Sequence, residues 1–351
     1  MQSTAKFDLA LGEIQMKSGK WIGALALAAL SVSGTAASAQ GKGETVKIQD
    51  YPGIGNMLFR IALSKGYCEA HGIKCQLQMI ASGPLGAQAL LAKSIDVGFF
   101  PPEVLINASV KGAALKIILS GATLNVFHIV IRNDLEAPNA AKGYPAFMAD
   151  LKGKKIGVPA RGSGGELQFG LLAEGAGLKA EDFTFVAVGS PDTSYGALTS
   201  KQIDASMTFE PSGSMCDVLK TCKTIFRAFE TKEPAAIART NGASSNMVVS
   251  QEAIDKAPHV QDALIAAAKD AEAFLQNPKN FEEALKIAQS YFKFNMPKGD
   301  EVMEAALRGA IPAYKASVSR PALQQIADNM LATKQIEAKF ETGKLLYGNA
   351  P

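Results

Sequence analysis

Short runs of alternating apolar and polar residues recur along the chain, separated by segments with apolar residues at helical spacing. Residues 46–49 alternate and are stopped by Tyr51-Pro52-Gly53, after which Met57, Leu58, Ile61 and Ala62 follow a helical period. Ile73, Cys75, Leu77 and Met79 alternate again, a helix is expected over 84–93, and strands over 95–100 and 115–119 flank a helix over 103–110. The alternation restarts with strands over 155–158, 183–188 and 203–209 and helices over 165–174 and 191–200. Strands alternating with helices predict βαβ units and parallel sheets. From Gln251 onward the pattern is helical, over 263–275, 281–291, 301–310 and 321–332, punctuated by Pro278, Pro297 and Pro312. The segment 89–96 (ALLAKSID) echoes 197–204 (ALTSKQID) in the same helix-turn-strand context, which points to two similar α/β units.

A chain of 351 residues usually exceeds one compact core. Its formal net charge of +3, without a Lys/Arg run, excludes an electrostatic nucleic-acid binder. No apolar stretch of roughly 20 residues spans a membrane. The first 39 residues read as an export signal: a basic start at Met16-Lys17, an apolar run from Trp21 to Leu30, and the cleavage box Ala37-Ser38-Ala39. Met16 then competes with Met1 as initiator, and Gln40 in place of a cysteine argues against a lipid anchor. In an oxidising compartment the four cysteines read as two local disulfides, Cys68 with Cys75 and Cys216 with Cys222. Other connectivities and four reduced thiols remain open, and a Cys₄ metal site lacks any C-x-x-C knuckle. With only three scattered histidines, neither a metal nor a cofactor is expected. His128 reads as a packed or capping residue.

Phosphate-loop, zinc-protease and nucleophile-elbow motifs are absent. The informative positions are loops at the carboxyl ends of strands, each leading into a helix N-terminus. They carry Tyr51 and Asn56, Ser82 and Gly83, Phe100 and Pro101, and Arg161-Gly162-Ser163. Of Phe99 and Phe100 one faces the cleft, and Phe100 is expected there. Ser190, Tyr195 and Glu210 are further cleft candidates. A forked Arg161 beside a glycine-rich turn suits an oxyanion, whereas Glu103 and Glu210 facing the cleft would suit a cationic or hydrogen-bond-donating ring.

These pieces, in order, resemble periplasmic solute-binding proteins of the nitrate/sulfonate/taurine type, a group that includes binders of thiamine-precursor pyrimidines. The resemblance is carried by ALSKGY (62–67) with Gly72-Ile73, by 89–96, by DLKGKKIGVP (150–159), and by Ile203-Asp204-Ala205 with Phe209-Glu210-Pro211. It implies a type II periplasmic-binding-protein fold, with lobe 1 from 40–130 and 246–351, lobe 2 from 131–245, and a two-crossing hinge near 128–133 and 241–249. It further implies a monomeric exported receptor of an ABC importer, closing on a small organic anion and delivering it to a membrane permease driven by a separate ATPase. Binding of an aminopyrimidine-like ring is the alternative ligand reading, and an exported enzyme on the same fold the alternative class.

Overall fold

The computed structural model describes residues 41–351, so the export signal expected over 1–39 lies outside the described residues. Among the described residues ten strands form three hydrogen-bonded sets, two of which a single bridge joins into one sheet. β1 (Thr45–Asp50) pairs in parallel with β2 (Lys74–Met79). A bridge between Ile48 and Val97 joins this pair to β3 (Gly98–Phe100), which lies beside β10 (Ser245–Ser250) and then β4 (Leu115–Ala122). The second sheet runs β7 (Thr184–Ala187), β6 (Lys155–Val158), β8 (Ala205–Phe209), β5 (Phe127–Arg132), β9 (Cys222–Arg227).

β6 is parallel to both neighbours, as the helix-separated pattern requires, while β10 and β5 run antiparallel to the strands beside them. Those two antiparallel strands are the ones that follow a change of sheet. The chain leaves the first sheet after Ala122, enters the second at Phe127, and returns at Ser245. The second crossing falls within the expected stretch. The first lies upstream of 128–133, because His128 to Arg132 already pair with β8 and β9 and are strand interior.

The repeated segments adopt one device twice. Lys93 and Lys201 both take left-handed φ, 58° and 63°, ending a helix. Ile95 and Ile203 are then buried, and the aspartate that follows accepts a backbone N–H from the start of another strand. Asp96 binds Lys47 N at 2.8 Å and Asp204 binds Lys155 N at 2.9 Å. The two sheets thus rest on the same helix-turn-strand unit.

The tail supplies the cover that exposed sheet faces need. Helices Pro258–Leu275, Phe281–Tyr291 and Gly299–Ala310 bury Ala263, Leu264, Ala284, Met303 and Leu307 against the β1–β2 side of the first sheet. Arg320–Ala332 packs on its other face with Leu105, Ile106 and Val248.

Both local disulfides are formed. Cys68–Cys75 ties the turn Tyr67–Ala70 to β2, with Cα atoms 6.0 Å apart, and Cys216–Cys222 ties helix Ser212–Leu219 to β9 at 4.7 Å. Each closes a short loop, so each is expected to contribute about 2 kcal/mol by chain entropy. A melting temperature several degrees lower in reductant checks this; no change would remove their stabilising role.

Candidate functional site

A cavity of about 310 Å³ opens among the loops at the carboxyl ends of β1, β2, β3, β6 and β8. Its wall is largely aromatic. Phe99 meets Tyr51 edge-to-face at 5.8 Å, Tyr51 meets Phe209 at 5.9 Å, and Phe209 meets Phe127 at 6.5 Å. Phe99 and Tyr51 come from the first sheet, Phe209 and Phe127 from the second, so the ring wall runs from one sheet to the other. Tyr51 makes no hydrogen bond through its buried hydroxyl, and burial pushes that phenol upward, keeping it a neutral donor. Phe229 and Tyr314 add further ring surface, and the Tyr314 hydroxyl donates to Ile54 O at 3.1 Å.

The loop carrying Tyr51 is held from beneath by a buried ion pair. Arg60 is fully buried on helix Met57–Ser64, with Nε 2.8 Å from Asp50 Oδ2. Its other nitrogens donate to Gly53 O and Tyr51 O, each at 2.6 Å, while Asp50 Oδ1 accepts from Tyr51 N and Asn56 N. Every arm of the guanidinium is used, which is how a charge is tolerated there. Gly55 (φ +32°) passes so close that a Cβ would lie 2.3 Å from both Arg60 and Asp50 side chains.

Besides the first turn of helix Ser212–Leu219, which lines it through Ser214, three helix N-termini meet the cavity. Ser82 caps Gly83–Leu91, Ser163 caps Gly164–Gly175, and Pro101 precedes Pro102–Val110. The last two approach closely: a Cβ on Gly164 would lie 2.9 Å from Pro101 Cβ. Aligned N–H groups there carry partial positive charge.

The charged lining is acidic on balance. Glu210, Asp217 and Glu230 line the cavity, against Arg227 alone. Arg227 is already paired, Nη2 with Asp217 at 2.5 Å and Nε with Glu230 at 3.8 Å. Glu210 accepts one backbone hydrogen bond, from Ser214 N at 3.0 Å, through Oε2; Oε1 carries none. Burial raises its carboxyl above the usual carboxylate range. Beneath it His128 is buried with Nε2 unpartnered, and burial lowers that imidazole to about 3, so it is neutral.

Of the residues expected from the sequence, Tyr51, Ser82, Gly83, Pro101, Ser163 and Glu210 come together around this cavity. The others are placed elsewhere. Phe100 is fully buried beside Val104 and Leu105, and Phe99 takes the cleft side, because pairing of β3 with β10 turns alternate rings to opposite faces. Asn56 is consumed as a helix cap, accepting from Phe59 N and donating to Gln49 O. Arg161 is 65% exposed and bound to Glu166, which also takes Gly162 N at 2.7 Å; the first turn of helix Gly164–Gly175 thus holds both residues outside the cavity. Ser190 is tied to Asp192 and Thr193, and Tyr195 packs beside Cys216–Cys222 with its hydroxyl 2.7 Å from Thr221. Replacing Arg161 with alanine is therefore expected to leave solute affinity within about twofold, a surface change of roughly 0.5 kcal/mol or less. Calorimetry on that variant decides it.

Asn125, Phe127, Arg227, Phe229 and Tyr314 line the cavity without having been expected. Asn125 and Phe127 belong to the first crossing, Arg227 and Phe229 to the end of β9, and Tyr314 to the tail. Of these segments only the first crossing was anticipated, as the hinge expected near 128–133. Among the described residues, no group of His, Cys, Asp and Glu is arranged to hold a metal, and no helix is long and apolar enough to cross a membrane.

Two α/β lobes, each ending its strands at one shared cleft except the antiparallel β10 and β5, which begin there, and joined by two crossings, define the type II periplasmic-binding-protein fold. The NMT1/THI5-like family matches residues 56–281, and the chain belongs to it. A putative binding protein of Brucella abortus (strain 2308) is 36% identical over 165 residues, 47% of this chain and 46% of that protein. The chain thus spans about half the length of the curated relatives it matches. The alkanesulfonate-binding protein SsuA of Xanthomonas axonopodis pv. citri, solved bound to MOPS, superposes with a TM-score of 0.66 at 19% identity over 86% of this chain and 98% of that one. The periplasmic nitrate-binding protein NrtA of Synechocystis PCC 6803 gives 0.68 at 15% identity, over 86% of each chain. These two likenesses speak for the fold.

Proposed function

We propose that this chain is the exported, non-catalytic solute receptor of an ABC importer, and that its solute is a small flat heteroaromatic molecule donating hydrogen bonds to Glu210. In this reading lobe 1 is 41–122 with 245–351, lobe 2 is 127–244, and the crossings between them absorb closure. The mature monomer, freed of residues 1–39, passes its solute to a permease and ATPase.

One observation carries the ligand class: an aromatic-walled cavity whose lining charges are three carboxylates and one already paired guanidinium. Flat rings gain from edge and face contacts with such walls. A donor or cation meets the open oxygen of Glu210. The volume sits at the small end of ligand cavities, suiting one substituted ring. A second reading, an organic sulfonate or carboxylate seated on the converging helix N-termini, draws support from Pro101 and Gly164.

A thermal-shift panel of aminopyrimidines, aryl and alkyl sulfonates, carboxylates and nitrate separates them. At a hundredfold excess over Kd a true solute stabilises by about 2.7 kcal/mol. A shift confined to aminopyrimidines is expected, and one confined to sulfonates or carboxylates would transfer the proposal to the helix N-termini.

A further inference from the structure

Behind the ligand cavity, a second and much smaller void of about 10 Å³ lies where helices Pro102–Val110, Gly164–Gly175 and Arg320–Ala332 approach one another. Glu103 lines it and is 4% exposed. Its Oε1 accepts from Gln168 Nε2 at 2.9 Å, a bond from the first sheet's helix to the second's. Its Oε2 is buried without a partner, and so is Oε1 of Gln335 on the same void.

Glu103 Oε2, an acceptor with no donor at the edge of this void, is the atom that an added proton would turn into a donor. An ionised carboxylate there would hold the Gln168 bond and the weak positive field of its own helix's first turn, but no cation, and burial outweighs both. The ionisable groups on the packed helices are Glu166 and Glu174, and Arg320 and Asp328; none bonds Glu103, and helix Gly83–Leu91 and β10 carry none. The cluster also touches both crossings. Gln168 Oε1 accepts from Asn125 Nδ2 at 2.8 Å, the same Nδ2 reaches Thr240 Oγ1 at 3.1 Å, and Asn125 N donates to Asn241 Oδ1 at 2.8 Å.

We propose that Glu103 is a proton-binding latch between the lobes, holding a proton while helices Pro102–Val110 and Gly164–Gly175 touch and releasing it to solvent when they part. Solute-driven closure then takes up a proton from water. Burial holds the Glu103 carboxyl at about 7, against 4.5 in its ordinary state. A raised value means that the latch favours contact fully below the ordinary carboxylate range and loses this as pH rises through about 7. The inference needs the lobes to part, but not any particular solute.

Small-angle scattering of the ligand-free protein from about pH 5.5 to about pH 8.5 reads this directly. The radius of gyration is expected to rise across neutrality in the native chain and to stay at its low-pH value in Glu103→Gln, whose amide mimics the protonated acid. Hydrogen exchange of 164–175, compared between the two proteins at equal pH, should be faster in the native chain at the alkaline end and equal at the acid end. A pH-independent native radius, or the same profile in Glu103→Gln, overturns the latch. Should Glu103→Gln not fold, the native profile alone decides. The test contains no solute, so its failure leaves the receptor proposal intact.

Discussion

Arg60→Met is expected to lower stability by about 3–5 kcal/mol, the cost of leaving a buried carboxylate without its partner. Asp50 would keep its two backbone donors but lose its countercharge, and the carbonyls of Tyr51 and Gly53 would lose theirs. A fall in Tm on the order of 10 °C follows. The double variant Asp50→Asn/Arg60→Met should recover part of this, because the charge is gone and an amide oxygen can still accept the same N–H groups. A double variant no more stable than Arg60→Met would mean that packing, not charge, makes Arg60 necessary. Solute binding should fall in both variants, since the loop 51–56 they loosen brings Tyr51, Ile54 and Gly55 to the cavity.

The second large effect is on binding. Glu210→Gln keeps the shape of the cavity and exchanges the open carboxylate oxygen for an amide. A hydrogen bond to a charged group contributes about 1.5–3 kcal/mol, so affinity for an aminopyrimidine should drop about 10- to 100-fold. The same change should leave affinity for a sulfonate unchanged or improved, because it removes a like charge. Isothermal titration of both ligand classes into both proteins makes the comparison. Equal loss for both classes would indicate that Glu210 shapes the loop through Ser214 N rather than meeting the solute.

The lobes were legible because their strands alternate cleanly and many of their helices begin at Gly, Pro or Ser, as at Gly83, Pro102, Gly164, Pro191 and Ser212. The observed bounds of β1, β2, β6 and β8 and of the tail helices fall within a few residues of the expected ones. The 89–96 and 197–204 echo proved to be a shared turn with a left-handed lysine and a capping aspartate. β5, β9 and β10 were harder to read. Two of them are the antiparallel strands that follow a crossing, and no helix-strand alternation announces them.

The site was only half visible for a different reason. A strand-end loop can be located from sequence, but which of its side chains turns inward depends on partners. Arg161 looked free until Glu166, five residues on, held it at the surface. Phe99 and Phe100 were separable only once β10 fixed the register of β3. Arg227 and Tyr314 come from segments far along the chain and reach the cavity through tertiary packing alone.

The central claim is that Glu210 and the ring wall, rather than Arg161, select the solute. Calorimetric titration of 4-aminopyrimidine into the native protein, with an arylsulfonate titrated in parallel, tests it most directly. The account predicts one-to-one binding of the aminopyrimidine at an affinity well above that of the sulfonate. Tight one-to-one binding of the sulfonate, with no heat from the aminopyrimidine, would contradict it.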